Sequence, residues 1–82
     1  MPKIIFVEGL DNYTLSVRFD DGVSGTVSLA SSLFGPVFEP LRDPEFFRQV
    51  AIDEYGAVYW PNGADLAPDA LYEQIQAASH LK

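Results

Sequence analysis

Residues 13 to 20 alternate without exception, with Tyr13, Leu15, Val17 and Phe19 on one side and Thr14, Ser16, Arg18 and Asp20 on the other. Residues 23 to 29 repeat the pattern, setting Val23, Gly25, Val27 and Leu29 against Ser24, Thr26 and Ser28. A period of two is the signature of a strand with one buried and one wet face, and a half-buried helix cannot present it. Asp20-Asp21-Gly22 stands between the two runs. The Gly can take φ > 0 there, so the pair predicts an antiparallel hairpin. Ahead of it, Lys3 to Val7 is short, apolar and β-branched. It is expected to pair with the 13–20 strand after a turn around Gly9 to Asn12, completing a β-meander.

The rest of the chain carries punctuation for a second half. Ser28 can cap one short helical turn through Leu33, closed by Gly35-Pro36. Asp43 suits a helix N-cap, Pro44 the first helical position and Glu45 the positive end of the dipole, predicting a short helix near 44–49 with Phe46 and Phe47 inward. Val50 to Asp53 and Ala57 to Trp60, separated by Glu54-Tyr55-Gly56, predict a second hairpin that Pro61 ends. From Pro68 onward, Leu71, Ile75 and Ala78 recur at helical spacing with Tyr72 beside them. The expectation is one α+β domain over residues 1–82, an antiparallel meander of about five strands in all packed against a C-terminal helix.

Composition then narrows the chemistry. The chain has 12 acidic and 5 basic residues, a formal net charge of −7. Phosphate binding depends on Lys and Arg, so direct nucleic-acid contact is not expected. There is no Cys, which removes a disulfide framework, a Cys-ligated zinc and a thiol nucleophile together. The single His, His80, is third from the C-terminal end, where fixed catalytic geometry is hard to maintain. Without a second His or a Cys, neither a Ser-His triad nor a transition-metal site has its parts. Asp20-Asp21 and Asp53-Glu54 fall at turns, and neighbours on a strand point to opposite faces, so neither pair converges on one proton. No catalytic residue, cofactor or metal ligand is therefore expected. No apolar run approaches the ~20 residues of a membrane span, and a cytoplasmic protein is the default expectation.

Two segments stand out as candidates for binding. Tyr59 to Leu66 packs the only Trp, a Pro, an Asn-Gly turn and an acid into eight residues. Trp60, Asn62 and Asp65 could form an aromatic platform beside a polar turn. The same residues also read as a tight passage from strand to helix, in which Trp packs, Asn-Gly turns and Asp65 caps. On the binding reading, Trp60→Phe is expected to spare the fold while weakening an interface. Leu33 to Leu41 is too apolar for an ordinary solvated loop, so Phe34 and Phe38 are further candidates.

The run Gly35 to Phe47, followed by Trp60-Pro61-Asn62-Gly63-Ala64-Asp65-Leu66-Ala67-Pro68 and Leu71-Tyr72, resembles the bacterial domain of unknown function family 2442. Phe19-Asp20-Asp21-Gly22 and Gly25-Thr26-Val27-Ser28-Leu29 fit its meander, so the resemblance covers about residues 3 to 77. It implies a small α+β domain with no established catalytic residues. Some members are fused ahead of a helix-turn-helix domain, an extension not expected here. Others are encoded beside a second small protein, which implies a toxin–antitoxin-like or regulatory pair. The functional expectation is a non-enzymatic protein-interaction module, an antitoxin-like acidic member of a two-protein system with a basic, genomically adjacent partner. The alternative is a small-molecule-binding or hydrolytic domain using acids near a Trp-lined cleft. A homodimer joined through Lys3 to Val7 is expected as well, because a meander leaves an edge to cover.

Overall fold

A computed structural model describes the backbone of residues 2–80 and the side chains of residues 2–77. Strands β1 (Ile4–Leu10), β2 (Thr14–Phe19) and β3 (Ser24–Ser28) form an antiparallel sheet in that order, as the alternation requires. Leu15, Val17, Phe19 and Val27 are buried, whereas Arg18, Ser24, Thr26 and Ser28 face solvent. The excursion that follows contains no helix through Leu33. Ser32 N–H donates to Leu29 C=O in a single turn, and Ser28 Oγ accepts only the Ala30 N–H, at 3.5 Å. Leu33 and Leu41 instead anchor the segment in the core, and a 3-10 turn over Glu39–Arg42 leads into α1 (Pro44–Phe47). Asp43 caps α1 by accepting the Glu45 N–H at 3.0 Å, and Phe47 is buried. The helix is shorter than the 44–49 expectation.

The second half adds one strand to the expected five. β4 (Ala51–Ile52), β5 (Val58–Tyr59) and β6 (Asp65–Leu66) make a separate three-stranded antiparallel sheet. The sixth strand exists because Pro61-Asn62-Gly63 turns the chain back on β5 instead of releasing it into a helix. Trp60 N–H donates to Ala64 C=O at 2.9 Å and Gly63 N–H to Trp60 C=O at 3.0 Å. Asp20-Asp21-Gly22 and Glu54-Tyr55-Gly56 close in the same way: Phe19 N–H donates to Val23 C=O and Gly22 N–H to Phe19 C=O, and Asp53 N–H donates to Ala57 C=O and Gly56 N–H to Asp53 C=O. In all three turns the Gly has φ between +78° and +93°, the left-handed position of a three-residue hairpin loop with a bulge. Asp21, Asp53 and Asn62 each accept a nearby backbone N–H, which fixes the turn from the side chain.

The six strands form two separate sheets in place of one ladder, and β1 carries a bulge on the side of the second. The β1–β2 register slips between Ile4 and Phe6, so Ile5 lies outside the pairing. A bulge bends and twists an edge, and beside it Ile4 N–H donates to Gly56 C=O of the second hairpin at 3.2 Å. β4 packs alongside β1, and the Gly56 backbone lies against Lys3. The strand expected to supply a dimer joint thus already has a neighbour within the chain. Helix α2 (Pro68–His80) lies against β3, with Leu71 and Ile75 in the core. Gly25 permits this approach: a Cβ there would sit 3.0 Å from Ile75 Cγ2. The side chains of Ala78 and His80 and all of Lys82 lie outside the described residues.

Candidate functional site

Trp60 is 1% exposed, and its indole N–H donates to Phe47 C=O at 2.9 Å. The ring packs beside Phe47 with centroids 5.9 Å apart. The indole therefore belongs to the core: it joins the β5–β6 turn to the end of α1 from beneath and offers no platform to a ligand. Its polar atom has no freedom to contact a partner either. Asp65 stands in β6 opposite Tyr59, exposed and three positions before the helix start at Pro68, so it does not cap α2. Its carboxylate makes no hydrogen bond among the described residues. Ala67 C=O accepts the Leu71 N–H at the head of that helix.

Asn62 brings the two candidate segments together. Its Oδ1 accepts the Ala64 N–H at 3.1 Å, while its Nδ2 donates to Val37 C=O at 2.8 Å. The amide, fixed by its own turn, thus grips the loop that carries Phe34 and Phe38. Arg42 holds the same loop at its base, donating from Nε to Leu33 C=O at 2.7 Å. Arg42 C=O in turn accepts the Tyr13 hydroxyl at 2.6 Å. Between these clasps Phe34 is 67% exposed and Val37 46%, whereas Phe38 is half-buried against the core. An apolar side chain left in water by a loop clamped at two carbonyls is organised for contact rather than collapsed into the core.

A second unusual feature lies at the β1–β2 turn, where the sequence shows only an ordinary Gly-to-Asn connection. Asn12 and Tyr13 both have positive φ, 61° and 57°. Asn tolerates the left-handed region, but a bulky Tyr there costs about 1–2 kcal/mol. Tertiary contacts impose it: besides the Arg42 bond, the Tyr13 ring meets Phe47 edge-on at 5.8 Å, and its C=O accepts the Leu29 N–H. Depressions of about 550 and 410 Å³ flank this turn, the first lined in part by Glu8, Thr14 and Arg48 and the second by Pro44 and Phe47. The Arg48 guanidinium is engaged by Asp11 at 2.5 Å with both partners exposed. Neither depression is lined by any of the five residues singled out from sequence.

Two titratable groups meet at the β2–β3 turn. The Tyr72 hydroxyl donates to Asp21 Oδ2 at 2.7 Å, and its ring meets Phe19 edge-on at 4.9 Å. That hydrogen bond, aided by the Val23 N–H, holds the Asp21 carboxyl below the usual value and raises the Tyr72 phenol. Both groups are at the surface, and the pair pins α2 to the hairpin tip. Among the described residues no three His, Asp or Glu side chains converge as metal ligands, no polar or charged residue is buried, and no helix is long and apolar enough to cross a membrane.

Fold and surface together define a small α+β domain of two three-stranded sheets and a flanking helix, with an apolar loop held at its surface. The chain belongs to the protein family of unknown function DUF2442, whose family model matches residues 4–77. No curated protein and no solved structure matches the chain.

Proposed function

We propose that the chain is a non-enzymatic protein-interaction module, the acidic, antitoxin-like member of a two-protein system, and that it docks a basic partner through the Phe34–Val37 loop. The observation that carries this reading is the exposed Phe34, presented by a loop clasped at Leu33 C=O by Arg42 and at Val37 C=O by Asn62. Preorganisation of this kind lowers the ordering cost of association, and an aromatic side chain supplies the anchor. The net charge of −7 favours a basic partner and speeds encounter with it. The partner is the small protein encoded beside this one, in the cytoplasm.

Co-expression with the neighbouring gene product, followed by affinity purification at two salt concentrations, tests the reading. The pair should co-purify at low salt and weaken at high salt, and a Phe34→Ala, Val37→Ala double variant should lose the partner while melting like the parent. Recovery of no partner at either salt concentration overturns it, as does full recovery by the double variant.

A further inference from the structure

The first sheet has two edges of different character. The β1 edge is bulged at Ile5 and flanked by β4. Among the described residues β3 has no strand on its other side. The hydrogen-bonded pairs Phe19–Val23 and Tyr13–Leu29 fix the parity of the β2–β3 ladder. The odd residues of β3 therefore turn their N–H and C=O groups toward β2, and those of Ser24, Thr26 and Ser28 point away from it. Those three residues are exposed, and none has a backbone partner among the described residues. An open edge is ordinarily guarded by Lys, Pro, a bulge or a covering helix. Ser24-Gly25-Thr26-Val27-Ser28 contains none of the first three, and α2 meets it on the inner face, where Ile75 lies over Gly25.

We propose that β3 is a strand-addition site, and that its occupant is an extended segment of a partner protein carrying basic residues at one end. The charge placement selects that occupant. Asp21 stands at the head of β3, and Asp69 lies one turn before Tyr72 on α2, the residue that bonds Asp21. A second copy would bring another −7 to the same edge, whereas a basic strand meets opposite charge there. Backbone bonds to Ser24, Thr26 and Ser28 supply register, and lysines beside Asp21 supply direction. An antiparallel addition puts the C-terminal end of the incoming strand at Asp21. This surface is separate from the Phe34 loop.

The probe is a capped eight-residue peptide alternating Thr and Val and ending in two lysines, titrated into the intact chain with amide exchange followed by NMR. Binding should slow exchange at Ser24, Thr26 and Ser28 by more than about tenfold and leave the ladder amides of Gly25 and Val27 unchanged. Moving the lysines to the N-terminus, or replacing them with Glu, should weaken binding by about tenfold. Thr26→Pro removes an outward N–H without touching the β2 ladder and should abolish binding. Should that variant not fold, N-methylation of the peptide amides that face β3 makes the same test on the natural chain. Equal binding by the N-methylated peptide, or no protection at the three residues, overturns the proposal. A dimer in sedimentation whose Ser24, Thr26 and Ser28 amides are protected without peptide also overturns it, by assigning the edge to a second copy. The natural loop is present throughout, so failure here leaves the Phe34 reading intact, and failure of co-purification leaves this one.

Discussion

Replacing Trp60 with Phe separates a core indole from a binding indole. The side chain is 1% exposed and its N–H is spent on Phe47 C=O at 2.9 Å. Phenylalanine removes the donor and about two carbons of buried ring. The carbons are worth ~0.8 kcal/mol each in transfer, about 1.6 together. A buried carbonyl left without its partner costs a further ~1–3 kcal/mol. The sum, about 3–5 kcal/mol, is a large share of the ~4–12 kcal/mol expected for a domain of this size. At ~4–8 °C per kcal/mol, the melting temperature should fall by at least about 12 °C. Because Trp60 is the only Trp, unfolding is followed by far-UV circular dichroism in heat and urea rather than by tryptophan fluorescence. A benzothienylalanine at position 60 keeps the ring size and deletes the donor, so it should retain the transfer part and lose only the ~1–3 kcal/mol of the hydrogen bond. A Trp60→Phe melt within about 2 °C of the parent would refute the assignment of the indole to the core.

Three further outcomes follow from the same contacts. Asn62→Ala should destabilise by about 1–2 kcal/mol through two lost hydrogen bonds and speed amide exchange between Leu33 and Phe38, whereas Asp65→Asn should leave the melt unchanged; both are read by thermal denaturation and hydrogen exchange. The lowered Asp21 carboxyl stabilises the fold at pH above the unfolded Asp value near 3.9 and loses that contribution as pH falls through its lower folded value. The raised Tyr72 phenol contributes below pH ~10 and loses its contribution as pH rises through its folded value, so Tyr72→Phe should flatten the urea midpoint at both ends. Gly25→Val should push Ile75 out of the core and cost about 1–3 kcal/mol, part of which Ile75→Ala in the same chain should restore, measured as a double-mutant cycle of urea midpoints.

Local periodicity and turn chemistry determined much of this protein before any contact was considered. The unbroken alternation from Tyr13 to Asp20 and from Val23 to Leu29 set two strands and their buried faces, because a one-residue slip would have turned every apolar side chain to water. Asp43-Pro44-Glu45 started α1, and Leu71 with Ile75 set the buried stripe of α2, since capping and a 3.6-residue period are properties of neighbours in sequence. Tertiary structure decided what depended on distant partners. Asn-Gly before an acid reads as a passage from strand to helix, and the pairing of Val58 and Tyr59 with Leu66 and Asp65 makes it a hairpin instead. Trp60 reads as platform or core until Phe47 C=O, 13 residues away, accepts its N–H. The positive φ of Tyr13 leaves no mark in sequence, because Arg42 and Phe47 hold it there at a cost that the isolated turn would not bear. The same long-range bonding placed Phe34 at the surface, since Arg42 and Asn62 grip backbone carbonyls and any residue has a carbonyl to offer.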